Sequence, residues 1–465
     1  MDVAPAVGRS LWNDQISPEP TRRPVLDGDT DVDVAIVGAG YTGLWTARQL
    51  LRADPSMRVL VIERESVGFG ASGRNGGWCV GELAGGLAGA VGLGGRLAGI
   101  AMTRAIMDTV DQVGEALAVE GIECGFVKGG VIRLARNEPQ LRRQREEIEE
   151  YRHHGFGDDV LRPLDADEAT DRLAATAVLG GLHYAPCARV QPARLVHGLA
   201  AAVERLGGRI VEGTAALDLV PSPGRRRASV ITECGTVRAD VVVRATEAYT
   251  RHLPGQRRSL VPLYSLMIAT EPLADDVWAE IGLRGMETFA DDRRMVVYGQ
   301  RTTDGRIAFG GRGAPYRYGS GIDSATEHSA AVHARIATTL TDMLPALRDV
   351  EITHRWGGVL GVPRDWQPSV GFDRSSGRAW AGGYVGEGVA AANLAGRTLA
   401  DLILGVDSDV VTLPWVGHRS RRWEPEPLRW AAIDGARRLA GWVDAREERR
   451  QRTPRIASLL DRVVG

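Results

Sequence analysis

The chain has 465 residues, a net charge of −2 and 25% charged residues. That length is too great for one core and suits two domains. The near-neutral balance argues against a partner such as nucleic acid or an anionic membrane. Four scattered cysteines (Cys79, Cys124, Cys187, Cys234) show no metal or C-x-x-C spacing, and the nine histidines form no ligand constellation. No metal site is expected, and a reducing cytoplasmic setting is.

Met1 to Asp33 is polar and Pro-containing, without the apolar stretch of a signal peptide. Next, Asp33-Val-Ala-Ile-Val runs into Gly38-x-Gly40-x-x-Gly43 and a helix over about Thr42–Leu51. The following strand, Arg58-Val-Leu-Val-Ile, ends at Glu63, 20 residues past Gly43. A strand, three glycines, a helix and a carboxylate at this spacing form a dinucleotide-binding fingerprint. Gly38 permits the tight turn, Gly40 lets amides approach a pyrophosphate at the helix N-terminus, and Gly43 lets the helix pack on the sheet. Glu63 can accept from both hydroxyls of an adenosine ribose and would repel a 2′-phosphate, which disfavours NADP. After Glu63 comes Arg64-Glu-Ser-Val-Gly-Phe-Gly-Ala71-Ser72-Gly-Arg74-Asn75-Gly76-Gly77-Trp78. This small-residue loop suits a backbone laid along a cofactor longer than NAD.

Leu83–Met107 is apolar, but its seven glycines with Arg96 and Arg104 favour a helix of the second domain over a membrane span. A helix over Arg104–Glu120, a strand over Gly130–Ala135 and a charged helix over Glu138–His153 follow. Beyond Gly180–Pro192 the pattern gives a helix to Leu206, a strand at Gly208–Thr214 and another at Arg238–Thr246. Strand-like runs at Leu260–Thr270, Arg294–Tyr298 and Arg306–Gly311 then appear, with a hairpin turn at Asp304-Gly305. A helix is expected over His328–Leu344. Trp380–Gly396 reads as strand, glycine turn and Ala-rich helix. The tail carries two amphipathic helices, Leu428–Gln451 and Pro454–Val464, as a cap or a subunit contact.

The Gly-Ala-Ser-Gly-Arg-Asn-Gly-Gly loop, with the segments that follow it, resembles the flavin amine oxidases of the D-amino acid oxidase and glycine oxidase superfamily. It looks most like the branch containing gamma-glutamylputrescine oxidase. The resemblance implies an α/β protein with a discontinuous glutathione-reductase-type Rossmann FAD domain, an α+β substrate domain with an antiparallel sheet, and a C-terminal helical extension. The expected bounds are an arm at 1–29, FAD blocks at 30–92, 188–258 and 350–405, substrate blocks at 93–187 and 259–349, and an extension at 406–465.

The fingerprint and the resemblance together imply cofactor positions at Gly38, Gly40, Tyr41, Thr42, Gly43, Glu63, Arg64 and Ala71. Ser72 would contact the pyrophosphate, and Arg74, Asn75, Gly76 and Gly77 would pass beside the isoalloxazine. Ala216 marks the segment that would hold the adenine, and Ala245 and Thr246 the turn under the pyrophosphate, where Glu247 replaces the usual Gly or Asn. Gly383, Gly386, Gly388 and Val389 would face the flavin N1–C2=O edge, where a helix N-terminus stabilises negative charge. The Cys and His that tether FAD in some relatives are missing, so non-covalent FAD is expected.

For substrate, the resemblance puts Leu360 where glycine oxidases carry an arginine for the carboxylate, which points to an amine rather than a simple α-amino acid. Trp78, Tyr264, Arg312 and Glu387 are further candidates, Glu387 for a cationic amine. Arg364 reads more simply as a solvated turn residue. The expected reaction oxidises the CH–NH bond of a primary or secondary amine to an imine, which water converts to a carbonyl, while oxygen becomes hydrogen peroxide. Lys128 is the sole lysine, so no lysine of the kind that activates oxygen in sarcosine oxidases is expected over the flavin. A dehydrogenase passing electrons to a carrier, a glycine or D-amino acid oxidase, and a flavin-carrying partner subunit stay open as alternatives.

Overall fold

The computed structural model describes residues 6–7, 10–222, 227–457 and 460. Its first sheet grows from the Val/Ile-rich runs. Thr30–Val37 pairs in parallel with Val59–Ile62 on one side and Thr236–Arg244 on the other. Arg209–Val211 and Arg378–Gly382 extend the parallel set at its two ends. Strands buried on both faces read as continuous apolar runs. Val34, Ile36 and Val61 accordingly pack beneath helices, while Ala35, Val37 and Leu60 pack with the antiparallel meander Ala216–Val220 and Ala228–Thr232.

Helices Tyr41–Ala53, Pro192–Arg205 and Gly388–Leu404 cover the first face. The first and last touch closely because Gly396 has no side chain: a Cβ there would lie 2.8 Å from the Cβ of Trp45.

The second sheet has nine strands in the order Ala6–Val7, Ile352–Val362, Val261–Thr270, Ile307–Gly311, Val297–Arg301, Thr288–Asp291, Val131–Ala135, Gly180–Tyr184, Leu161–Leu164. It is antiparallel except at Ala6–Val7 with Ile352–Val362 and at Thr288–Asp291 with Val131–Ala135. Leu266, Ile268, Phe289 and Phe309 pack under helix Ala330–Met343. The Asp304-Gly305 turn forms as expected, with Gly305 at φ +76.

Two expectations are corrected. Ile352–Val362 was placed in the cofactor block by the boundary at 350, yet it pairs along most of its length with Val261–Thr270 in the second sheet. The chain therefore returns to the cofactor sheet only after Val362; pairing, which linear order does not reveal, assigns a strand. The run Arg294–Tyr298 becomes a strand only from Val297, because the Arg294 and Met295 amides donate to the Asp444 carboxylate instead of a ladder.

One described helix, Gly86–Glu120, is long and apolar enough to cross a membrane. It breaks at Gly95 (φ +79), and its second half buries Met102, Ile106, Val110, Val113 and Leu117 in the main core. The tail helix Leu428–Arg450 packs on the second domain through Asp444 and a Glu447–Arg143 ion pair at 2.9 Å. Most of the expected helix Pro454–Val464 lies outside the described residues.

Candidate active site

Each fingerprint glycine sits against a close neighbour. Gly38 (φ +109) would place a Cβ 2.5 Å from Ala245 O, a Cβ on Gly43 would overlap Gly38 O, and one on Gly40 would lie 2.9 Å from Ser72 Oγ. The Tyr41 amide donates to Ser72 Oγ at 2.9 Å, and helix Tyr41–Ala53 has no side-chain cap. Uncapped amides at the positive end of a helix next to a hydroxyl are an anion cradle. Glu63 accepts from the amides of Ala39 (2.8 Å) and Glu65 (2.9 Å), which fixes its carboxylate at the strand end; burial raises its pKa. The segment leading to Ala216 runs beside it, with Thr214 N donating to Glu63 O. Arg64 is exposed and pairs with Glu65.

The Ala71–Gly77 loop is stitched by its own side chains. Asn75 Nδ2 donates to Ala71 O and Ser72 O at 3.1 Å, and Asn75 Oδ1 accepts from Gly77 N at 2.8 Å. Trp12 Nε1 donates to Asn75 O, Trp356 Nε1 to Arg74 O, and Gln300 Nε2 to Gly76 O, tying arm and second sheet to the loop. Arg74 pairs with Glu327 at 2.7 Å and lies over the Phe69 ring. Asn75 is thus a loop organiser.

The second half of the site gathers at the turn before helix Gly388–Leu404. Gly386 (φ +119) would place a Cβ 3.3 Å from an Arg312 guanidinium nitrogen and 3.8 Å from Leu360 Cδ1, so these three meet. Arg312 Nη2 donates to Val385 O at 2.7 Å. Glu387 stands at the N-cap position but does not cap the helix, and it takes no side-chain hydrogen bond or ion pair among the described residues. Burial pushes its carboxyl up, and the Arg312 charge pulls it part-way back. Trp78 lies edge-on to Tyr298 at 6.0 Å, and the Tyr298 hydroxyl bonds Ser265 Oγ at 2.7 Å. Tyr264 instead is a core residue: its hydroxyl accepts from Asp323 N at 2.7 Å, and burial pushes it up to about 12. Arg364 is taken by Glu424 at 3.0 Å and lies over Trp423.

Sequence reading missed several of these. Glu82 has no hydrogen bond or ion pair among the described residues. Burial, partly offset by Arg133 and reinforced by Glu147, Glu387 and Asp292, pushes it up to about 8. No motif surrounds Glu82, and Tyr298 reads only as one residue of a strand. Glu247, flagged as a departure, has a clear task. Its Oε1 accepts from the amides of Gly383 (2.8 Å) and Tyr384 (3.2 Å) and its Oε2 from Gly361 (2.9 Å), stapling the Gly386 turn to the strand carrying Leu360.

Residues 33–402 match the DAO family, described as FAD-dependent oxidoreductases. The chain belongs to this family. Its relatives include a probable oxidoreductase OrdL of Haemophilus influenzae, 31% identical, with 83% of this chain and 85% of that protein covered. Gamma-glutamylputrescine oxidoreductase of Escherichia coli is 28% identical, with 82% and 85% covered. In fold the chain is similar to the glycine oxidase of Geobacillus kaustophilus, with a TM-score of 0.67 at 21% identity, covering 81% of this chain and 96% of that one. The family's cofactor fits the residues present: a Cβ on any of the three cradle glycines would come within 3 Å of a neighbouring atom, the Gly40 N-cap has no side chain to cap the helix, and the Glu63 carboxylate is anchored at the end of the second strand. The chain is a FAD-dependent oxidoreductase.

Proposed function

We propose that the chain oxidises the CH–NH bond of a primary or secondary amine carrying no α-carboxylate. The pyrophosphate would lie on the Gly38–Gly43 cradle with Ser72, the ribose on Glu63, and the flavin between the Arg74–Gly77 loop and Gly386–Val389. The observation that carries the substrate reading is Glu387, a half-buried carboxylate without a hydrogen bond or ion pair among the described residues, beside an apolar Leu360 where the resemblance to glycine oxidases implies an arginine for the carboxylate. An unpaired carboxylate removed from water attracts a cation. Glu82 shares that electrostatic environment: burial is the main cause of its raised pKa, and Glu387 contributes to it.

Bound flavin supplies the two-electron acceptor for the CH–N bond. The rest is the work of side chains. Glu387 holds the ammonium, and because burial raises its pKa it is suited to accept the ammonium proton, leaving the neutral amine. Trp78 and Tyr298 present ring surface that orients the substrate carbon and excludes water. Water then converts the imine to a carbonyl, and oxygen taking two electrons and two protons gives hydrogen peroxide. A dehydrogenase is the second reading, supported by Lys128, the sole lysine, being exposed and paired with Asp111 at 2.6 Å. Glu387→Gln tests the substrate reading: kcat/KM for a cationic amine should fall roughly ten- to hundredfold, with FAD content unchanged. An equal fall with an uncharged analogue would overturn the role of Glu387.

A further inference from the structure

A cleft of about 400 Å³ opens on the opposite side of the cofactor sheet from helix Gly388–Leu404. Val243 and Ala245 belong to the core packed on that helix, so alternation along the strand sends Arg244 to the other face. There Arg244 is in register with Trp380 on the neighbouring parallel strand, and both line the cleft with Arg378, Arg419 and Arg422. Among the described residues none of these four arginines has a carboxylate within ion-pair distance. Asp373 also lines the cleft, but its carboxylate accepts from the Ser375 and Ser376 hydroxyls, both at 2.6 Å.

Among the described residues Arg244 has a single hydrogen-bond acceptor, Gln256 Oε1 at 3.2 Å. Burial, helped by the like charge of Arg378 and countered by Glu247, pushes it down to about 10, which leaves it charged at neutral pH. A half-buried guanidinium without a counter-ion is costly, and the cost is relieved by an anion. Guanidinium groups meet carboxylate and phosphate oxygens in two-pronged geometry, and several converging on one concave space select for more than one negative charge. The volume falls within the range of small-molecule sites.

We propose that this cleft is a binding site for a small multivalent anion, a polycarboxylate or a phosphate ester, distinct from the amine site. Gly382 and Gly383 form part of its wall, and the Gly383 amide is held by Glu247. The ligand would therefore rest against the outer side of the turn that carries Glu387, in the position of an effector rather than a substrate. The proposal does not depend on which amine is oxidised.

The test is calorimetric titration of the FAD-saturated full chain with citrate and, separately, with pyrophosphate, at 50 and 200 mM salt. Saturating the cofactor cradle first keeps pyrophosphate from reporting on it. One saturable site per chain is expected, weakened by salt and weakened at least tenfold in Arg378→Gln/Arg419→Gln. Both of these residues are exposed and should leave folding and flavin content intact. Arg244→Gln should abolish binding. Preference for citrate or pyrophosphate assigns the anion's class. Absence of saturable heat with both anions, or affinity unchanged in the double variant, overturns the proposal.

Discussion

Glu247 offers the sharpest link between one side chain and the architecture of the site. Its carboxylate collects three backbone amides, from Gly361, Gly383 and Tyr384. In Glu247→Ala all three lose their acceptor. A buried amide left unsatisfied costs about 1–3 kcal/mol, and removing a buried carboxylate returns part of that sum, for a net loss of about 3–5 kcal/mol. Glu247→Gln is not benign either: whichever way the amide is turned, an NH2 group faces at least one backbone N–H, so about 1–3 kcal/mol is lost. Unfolding entropy scales with chain length, so for 465 residues each kcal/mol moves Tm by about 1 °C. The expected shifts are about −3 to −5 °C for alanine and about −1 to −3 °C for glutamine by calorimetry. FAD affinity should fall as well, since the staple holds the flavin-facing turn. Wild-type Tm and wild-type FAD affinity in both variants would refute the reasoning.

Gly40→Val should yield protein without flavin, because even a Cβ there lies 2.9 Å from Ser72 Oγ; absorbance of the purified variant near 450 nm checks it. Acid precipitation of the parent should release intact FAD into the supernatant, and flavin in the pellet would contradict non-covalent binding. Glu82 is raised by burial above its ordinary value, to about 8. A carboxyl with a raised folded pKa holds its proton better when folded, so its contribution to stability falls as pH rises between the unfolded value and about 8. Glu82→Gln removes that decrement. Its Tm relative to the parent should therefore rise from pH 5 to pH 8, and a difference independent of pH would contradict it. Leu360→Arg should raise kcat/KM for glycine about tenfold or more, measured by peroxide release or dye reduction, because a second cation would then stand beside Gly386 with no backbone carbonyl already holding it, as Val385 O holds Arg312.

The cofactor half was legible because its chemistry is local. Gly38, Gly40, Gly43 and Glu63 each answer to a neighbour dictated by a strand–turn–helix, and the Ala71–Gly77 loop follows directly. The proposed amine half was less legible because it is assembled across the chain. Arg312, Leu360 and Glu387 meet only after two sheets form, and Tyr298 and Glu82 carry no local signature. Tyr264 shows the limit from the other side: a tyrosine in an apolar strand reads the same whether it faces a ligand or, as here, a backbone amide. The pairing of strand Ile352–Val362 with Val261–Thr270 is likewise a long-range fact that no local pattern carries.

The central claim is amine oxidation without carboxylate recognition. Its most direct measurement is anaerobic stopped-flow reduction of the bound flavin by primary and secondary amines alongside glycine and D-alanine. Amines lacking an α-carboxylate should bleach the flavin faster at equal concentration, and admitting air should restore its colour with formation of hydrogen peroxide. Faster bleaching by glycine or D-alanine would contradict the account and assign the carboxylate to Arg312.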